Sequence, residues 1–172
     1  VSAGNTGALM AMAKMVLKTA PGVHRPAIAS VMPGLEKDTV MLDLGANLLV
    51  DSENLVQFAL LGATFARAYK KMGNEKPSIG LLNIGSEDMK GPDHIRGAAE
   101  ILSKVEFPGT YYGFVEGDDI TKGTVDVIVC DGYAGNVALK TAEGVGKYIK
   151  HHINDAFTSN PFAMLGALFA YF

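Results

Sequence analysis

A chain of 172 residues that is 48% hydrophobic, with 15 basic and 18 acidic residues and a formal net charge of −3, can bury a sizeable core and lacks the positive excess of a general nucleic-acid binder. Its single cysteine, Cys130, excludes an intrachain disulfide and, set in an apolar run, reads as a buried structural thiol in a reducing, cytoplasmic setting. No uninterrupted apolar run reaches the ~18 residues of a membrane-spanning helix.

Residues 2–7, Ser-Ala-Gly-Asn-Thr-Gly, precede a helix predicted over 8–17, with Asn5 or Thr6 as its cap. This Gly-rich loop has two readings: a simple capped turn, or a loop whose backbone N–H groups approach a phosphate. Pro21-Gly22 ends the helix, and residues 25–33 and 39–44 read as neighbouring strands across a polar link. Asp43-Leu-Gly-Ala-Asn47 closes the second strand. A long helix is predicted over 53–72, capped by Ser52, with Leu55, Phe58, Ala59, Gly62, Phe65, Ala66 and Tyr69 as its core stripe. A strand over 77–84, a helix over 93–105 and a short strand over 111–115 follow.

Residues 125–130 are an apolar, β-branched run stopped by Asp131-Gly132, and read as a buried parallel strand. Ala134-Gly-Asn136 then opens a helix whose apolar positions Val137, Thr141, Val145 and Ile149 are expected in the core. That junction, between a strand's carboxyl end and a helix's amino end, is where open α/β sheets bind ligands. Asn136, Lys140 and Gly144 recur along one helix face, so the sequence predicts an anion site at the helix start with a cation one turn in.

Alternation of strands and helices predicts an α/β fold, three-layered, with a mainly parallel sheet and helices on both faces. Asn47, then Asn83 with Glu87 and Lys90, then Glu116, then Asp131 with Asn136, all fall just past strand carboxyl ends. They are either ligand-binding groups or turn and cap residues. Loops of the G-x-G-x-x-G and G-x-x-x-x-G-K-[ST] types are lacking, Ser30, Ser78 and Ser86 sit in no G-x-S-x-G elbow, and His24, His94, His151 and His152 have no metal-ligand spacing with Cys130. No metal and no cofactor is therefore expected. Residues 1–172 read as a single α/β region, an internal fragment of a longer chain. Residues 156–172 carry no charge and read as an apolar helix that must be covered by a dimer partner or inserted in a membrane surface.

Five motifs carry a resemblance: Ser-Ala-Gly-Asn-Thr-Gly-Ala (2–8), Met-Leu-Asp-Leu-Gly-Ala-Asn (41–47), Gly-Leu-Leu-Asn-Ile-Gly-Ser-Glu (80–87), Val-Glu-Gly-Asp-Asp-Ile (115–120) and Val-Cys-Asp-Gly-Tyr-Ala-Gly-Asn-Val-Ala-Leu-Lys-Thr (129–141). Together they resemble the PlsX family of bacterial acyl-acyl-carrier-protein:phosphate acyltransferases. The resemblance implies a fold similar to the isocitrate and isopropylmalate dehydrogenases and phosphotransacetylases, a homodimer, and acyl carrier protein and inorganic phosphate as partners. It implies conversion of a long-chain acyl thioester and phosphate into an acyl phosphate, the first step towards phosphatidic acid, in the cytoplasm or peripherally on the inner face of the membrane.

Because phosphate is itself the nucleophile, no activated Ser or Cys is required; an anion cradle and an oxyanion donor are. Gly4, Asn5, Thr6, Gly7, Gly135 and Asn136 are the candidate cradle, with Lys140 as the cation. Asn47, Asn83 or Asn136 is the candidate oxyanion donor, and Glu87, Asp131 or Glu143 the proton carrier. Lys147, Lys150 and His151 form a candidate basic stripe for the acidic carrier protein. Two competing readings are a metal-dependent decarboxylating dehydrogenase of the same fold and a non-catalytic module that binds acyl carrier protein or membrane.

Overall fold

β-branched and aliphatic runs build the central sheet. The computed structural model describes residues 5–87 and 89–170, apart from the side chains at 165, 167, 168 and 170. In chain order the elements are α1 (Thr6–Leu17), β1 (Ala29–Met32), β2 (Thr39–Leu42), α2 (Ser52–Tyr69), β3 (Ser78–Leu82), α3 (Asp93–Leu102), β4 (Thr110–Val115), α4 (Asp119–Lys122), β5 (Val127–Val129), α5 (Gly132–Thr158) and α6 (Pro161–Ala170). The chain divides into two compact units at the Asn136/Val137 boundary, within α5.

In the first unit the five strands lie in the order β1-β2-β5-β3-β4. β1 pairs antiparallel with β2, and the other three pairings are parallel. This is the mainly parallel α/β sheet that the alternating elements predict. β5 returns to lie between β2 and β3, with Val127 opposite both Val40 and Ile79. The parallel strands consequently end on one edge, and the loops after β2, β3, β4 and β5 share it.

Strand alternation turns Val40, Leu42, Ile79, Leu81, Val127 and Val129 towards α2 and α3, where they form one buried cluster with Leu55, Phe58 and Ala59. Gly62 lets α2 approach the sheet: a Cβ there would lie 2.6 Å from Val127 Cγ1. The predicted α2 stripe holds at Leu55, Phe58, Ala59, Gly62 and Ala66 but not at Phe65 and Tyr69, which are exposed and stack on each other, centroids 6.1 Å apart. Ala63 is buried in their place. The cap of α2 is Asp51 rather than Ser52, because Asp51 Oδ1 accepts from the Asn54 N–H at 2.7 Å and Asn54 completes a capping box. Ser52 Oγ instead donates to His94 O at 2.9 Å, tying α2 to the start of α3. The four-residue helix α4, not predicted from sequence, follows Asp118 and ends at the left-handed Gly123.

In the second unit, the α5 positions expected in a core are open: Val137, Val145 and Ile149 are each about half exposed (48%, 50% and 49%). α6 starts at Pro161, capped by Asn160 Oδ1, which accepts from Ala163 N at 2.9 Å. No described helix is long and apolar enough to cross a membrane.

Candidate functional site

Two polar clusters occupy the carboxyl edge of the sheet. The first joins the turns after β2 and β5. Asp43, fully buried, accepts from the N–H groups of Ile28 (2.9 Å) and Ala46 (3.1 Å) with one oxygen. Its other oxygen accepts from Asn47 N (2.6 Å) and Asn47 Nδ2 (2.9 Å). Asn47 Nδ2 also donates to Pro26 O at 2.8 Å. Both hydrogens of that amide are thus spent, and Asn47 holds the turn rather than offering a donor to a substrate.

α5 begins at Gly132, two residues ahead of the predicted start, because Asp131 caps it. Asp131 Oδ1 accepts from Ala134 N at 2.8 Å, Gly135 N donates to Asp131 O at 3.0 Å, and Gly132 N donates to Asn47 O at 2.8 Å. These N–H groups are therefore engaged, and a carboxylate sits where the anion was expected. The glycines serve close packing. A Cβ on Gly135 would fall 1.9 Å from Asp43 O, and one on Gly132 2.7 Å from Asn47 O. Cys130 lies beneath, its thiol donating to Asp43 O at 3.4 Å; burial, then the Asp131 and Asp43 charges, push it far above the ordinary thiol range. It is the inert structural thiol that its sequence context predicts.

Asn136 faces the same turn: its Cβ, Cγ and Oδ1 lie 3.4–3.5 Å from where a Cβ on Gly45 would be, and Gly45 itself has φ +121°. Asn136 as a residue is exposed. His94, absent from the sequence-derived candidates, stands with Nε2 3.9 Å from Asp131 Oδ2. The two line an open cavity of about 280 Å³ with Leu48, Leu49, Val50 and Tyr133. Only the fold joins His94 to Asp131; neither residue's local sequence contains the other.

The second cluster follows β3. Asn83 is buried, and its Nδ2 donates to Lys90 O at 3.0 Å. Lys90 Nζ lies 2.8 Å from Glu87 Oε1, and both side chains are exposed. The hydrogen bond from Lys90 lowers the Glu87 pKa; that bond, the Glu87 charge and, less strongly, Glu116 raise that of Lys90. The loop thus presents a fixed ammonium beside an ionised carboxylate. The ammonium, still open to solvent, can meet an anion, with the carboxylate beside it as a hydrogen-bond acceptor.

The remaining candidates lie elsewhere. Asn5 caps α1, its Oδ1 accepting from Ala8 N at 3.1 Å, so its side chain serves the helix, while Thr6 and Gly7 form the first turn. Gly4 lies outside the described residues. In the second unit Lys140 pairs with Glu143 at 3.0 Å, Lys147 and Lys150 are exposed, and His151 Nε2 stands 3.3 Å from Asp155 Oδ2. Among the described residues no group of three His, Cys, Asp or Glu side chains gathers to hold a metal.

The chain is 56% identical over 170 residues to a protein named phosphate acyltransferase from Paramagnetospirillum magneticum, covering 99% of this chain and 48% of that one. It is 54% identical over 170 residues to the phosphate acyltransferase of Granulibacter bethesdensis, with 99% and 46% covered. It therefore spans about half the length of the curated relatives it matches. Among solved structures, the EutD phosphotransacetylase from Staphylococcus aureus superposes with a TM-score of 0.61 at 19% identity, covering 78% of this chain and 46% of that one, a likeness of fold. A family model described as "Fatty acid synthesis protein" matches residues 1–171, and the chain belongs to that family.

Proposed function

We propose that the protein carrying this chain is a phosphate acyltransferase that moves a long-chain acyl group from acyl carrier protein to inorganic phosphate, for phosphatidic acid synthesis. The observation that carries this reading is the 56% identity, over 99% of the chain, to a protein of that name. In the reaction an oxygen of hydrogen phosphate attacks the thioester carbon, the C–O bond forms and the C–S bond breaks. The phosphate proton passes to the departing thiolate, so the step is neutral in protons. The first requirement is a cation for phosphate, and Lys90 meets it: it is held at the carboxyl edge and, like any lysine not stripped of solvent, is charged at neutral pH. The second is a donor to the carbonyl oxygen as it gains charge, and the amide of the exposed Asn136 is the candidate. Asp131 beside His94, or Glu87, is the candidate proton carrier. The mixed wall of Leu48, Leu49 and Tyr133 suits an acyl thioester better than a charged sugar or nucleotide. The test is to incubate the full-length protein with palmitoyl-acyl carrier protein and labelled phosphate. Labelled acyl phosphate is expected; its absence, with both substrates recovered unchanged, removes the reading.

The same proposal extends to partners and place. The exposed Lys147, Lys150 and His151 suit an acidic carrier protein. Charge reversal at Lys147 and Lys150 is expected to slow acyl-carrier-protein turnover while sparing an acyl-CoA substitute, and equal loss on both removes the docking role. The open α5 stripe and α6, with Phe162 88% and Phe169 75% exposed, suit a homodimer interface or a cytoplasmic-side membrane contact. Phe162→Glu with Phe169→Glu separates the two by vesicle co-sedimentation and oligomeric mass. Loss of sedimentation alone marks the membrane, loss of the dimer alone marks the interface, and no change in either removes both.

A further inference from the structure

Asn83 is placed by the sheet and, in turn, places a lysine. Its backbone N–H donates to Val115 O at 2.9 Å, extending the β3–β4 ladder, and the residue is 7% exposed. Its Nδ2 donates to Lys90 O at 3.0 Å. Its Oδ1 is buried and makes no hydrogen bond with any described residue. Gly91 accounts for that. A Cβ there would stand 1.9 Å from Asn83 Oδ1, and Gly91 has φ +87°, so the amide oxygen rests against a backbone that only glycine supplies. A buried acceptor without a donor costs free energy, and such costs gather where the arrangement serves function. The rest of the loop is held from other sides. Lys90 N donates to Glu87 O at 3.0 Å and Arg96 Nη1 donates to Met89 O at 3.2 Å. The Lys90 side chain runs back over Gly85: a Cβ at Gly85 would lie 2.5 Å from Lys90 Cδ and 2.9 Å from Lys90 Nζ.

We propose that Asn83 is a positioning residue: with Gly91 it clamps the Lys90 backbone so that the ammonium stays over Gly85 at the carboxyl edge to receive phosphate. This assigns Asn83 a role other than donating to the thioester oxyanion: the side chain is buried, and the hydrogen bond that it makes goes to the Lys90 backbone. The proposal rests on reading Lys90 as the phosphate cation.

The test is a double-mutant cycle in the full-length protein, with palmitoyl-acyl carrier protein and phosphate as substrates and thermal melting as the check on folding. Asn83→Ala is expected to raise the phosphate KM about tenfold and to leave the thioester KM within about twofold, a split that general loosening of the fold would not produce. In a Lys90→Ala background the same substitution is expected to change the phosphate KM by less than about twofold, because a clamp has no effect once its lysine is gone. Gly91→Ala, which displaces the amide oxygen, is expected to reproduce the Asn83→Ala profile. Should Asn83→Ala fail to melt cooperatively, Asn83→Asp, equal in size but unable to donate, takes its place in the cycle. Additive losses in the Lys90→Ala background, or a fall in kcat with an unchanged phosphate KM, would overturn the clamp and return Asn83 to the reacting atoms. An unchanged phosphate KM in Lys90→Ala alone would instead overturn the reading of Lys90, and the clamp's purpose with it.

Discussion

The amino edge of the sheet and the turn after β3 at its carboxyl edge treat buried polarity in opposite ways. At the amino edge, Asp126 is surrounded by donors: Lys70 Nζ at 2.8 Å and Lys37 Nζ at 3.1 Å on one oxygen, and Ser78 N (2.9 Å) and Oγ (2.8 Å) on the other. Burial alone would raise its pKa, but Lys70, Ser78 and Lys37 outweigh that and hold the carboxyl well below its usual range. Every oxygen is satisfied, and nothing remains to offer a ligand. At the carboxyl edge, by contrast, Asn83 Oδ1 has no hydrogen-bond partner among the described residues, the Lys90 ammonium reaches solvent, and His94 stands 3.9 Å from Asp131 beside an open cavity. The difference separates charge that holds a fold from charge left available for chemistry.

The largest expected effect lies where the carboxyl edge is itself structural. Gly135→Ala drives a methyl to within 1.9 Å of Asp43 O, so α5 must part from the turn after β2. A loss of roughly 3 kcal/mol or more is expected in denaturant unfolding. A loss under about 1 kcal/mol would show that this edge is looser than its packing indicates.

Next in size is Asp126→Asn, which leaves two lysines without their carboxylate. The expected cost is about 2–3 kcal/mol, short of a fully buried pair because both lysines keep some solvent contact. The phosphate KM is expected to stay unchanged, and a change would erase the distinction between the edges. The pH dependence has a definite sign. A carboxyl whose folded pKa is depressed contributes its stability in full above the unfolded value of about 4 and loses it as pH falls below that towards the folded value. Unfolding measured between about pH 5 and pH 2 is therefore expected to show a steeper acid loss in the wild type than in Asp126→Asn.

Lys90→Ala is the reciprocal case: melting within about 2 °C of wild type, with the phosphate KM raised about tenfold, the scale of one charge-assisted hydrogen bond. A loss of stability without a loss in phosphate use would invert the comparison. Lys140→Ala is expected to have the smallest effect, about two- to threefold on the phosphate KM, because its ammonium is exposed and paired with Glu143 on a helix face, whereas the backbone of Lys90 is held by the buried Asn83. An effect larger than that of Lys90→Ala would make Lys140 the principal phosphate cation.

Local chemistry determined a good deal of this protein by sequence alone. The apolar run at 125–130 with Asp131-Gly132 after it is a buried strand ending at a helix, and alternation of such runs with helical segments dictates a mainly parallel sheet. Parallel strands end on one edge, so sequence alone puts Asn47, Asn83, Glu87, Asp131 and Asn136 together at the carboxyl edge. What each does there was decided only by tertiary structure, because an amide or carboxylate is defined by the partners that reach it. Asn47 is spent on Asp43 and Pro26, one oxygen of Asp131 on the first turn of α5, and one N–H of Asn83 on Lys90, each a bond between segments that sequence order holds apart or leaves free to turn. The same holds for α5: helical spacing predicted an apolar stripe at Val137, Val145 and Ile149, but periodicity records which residues share a face and not what covers it.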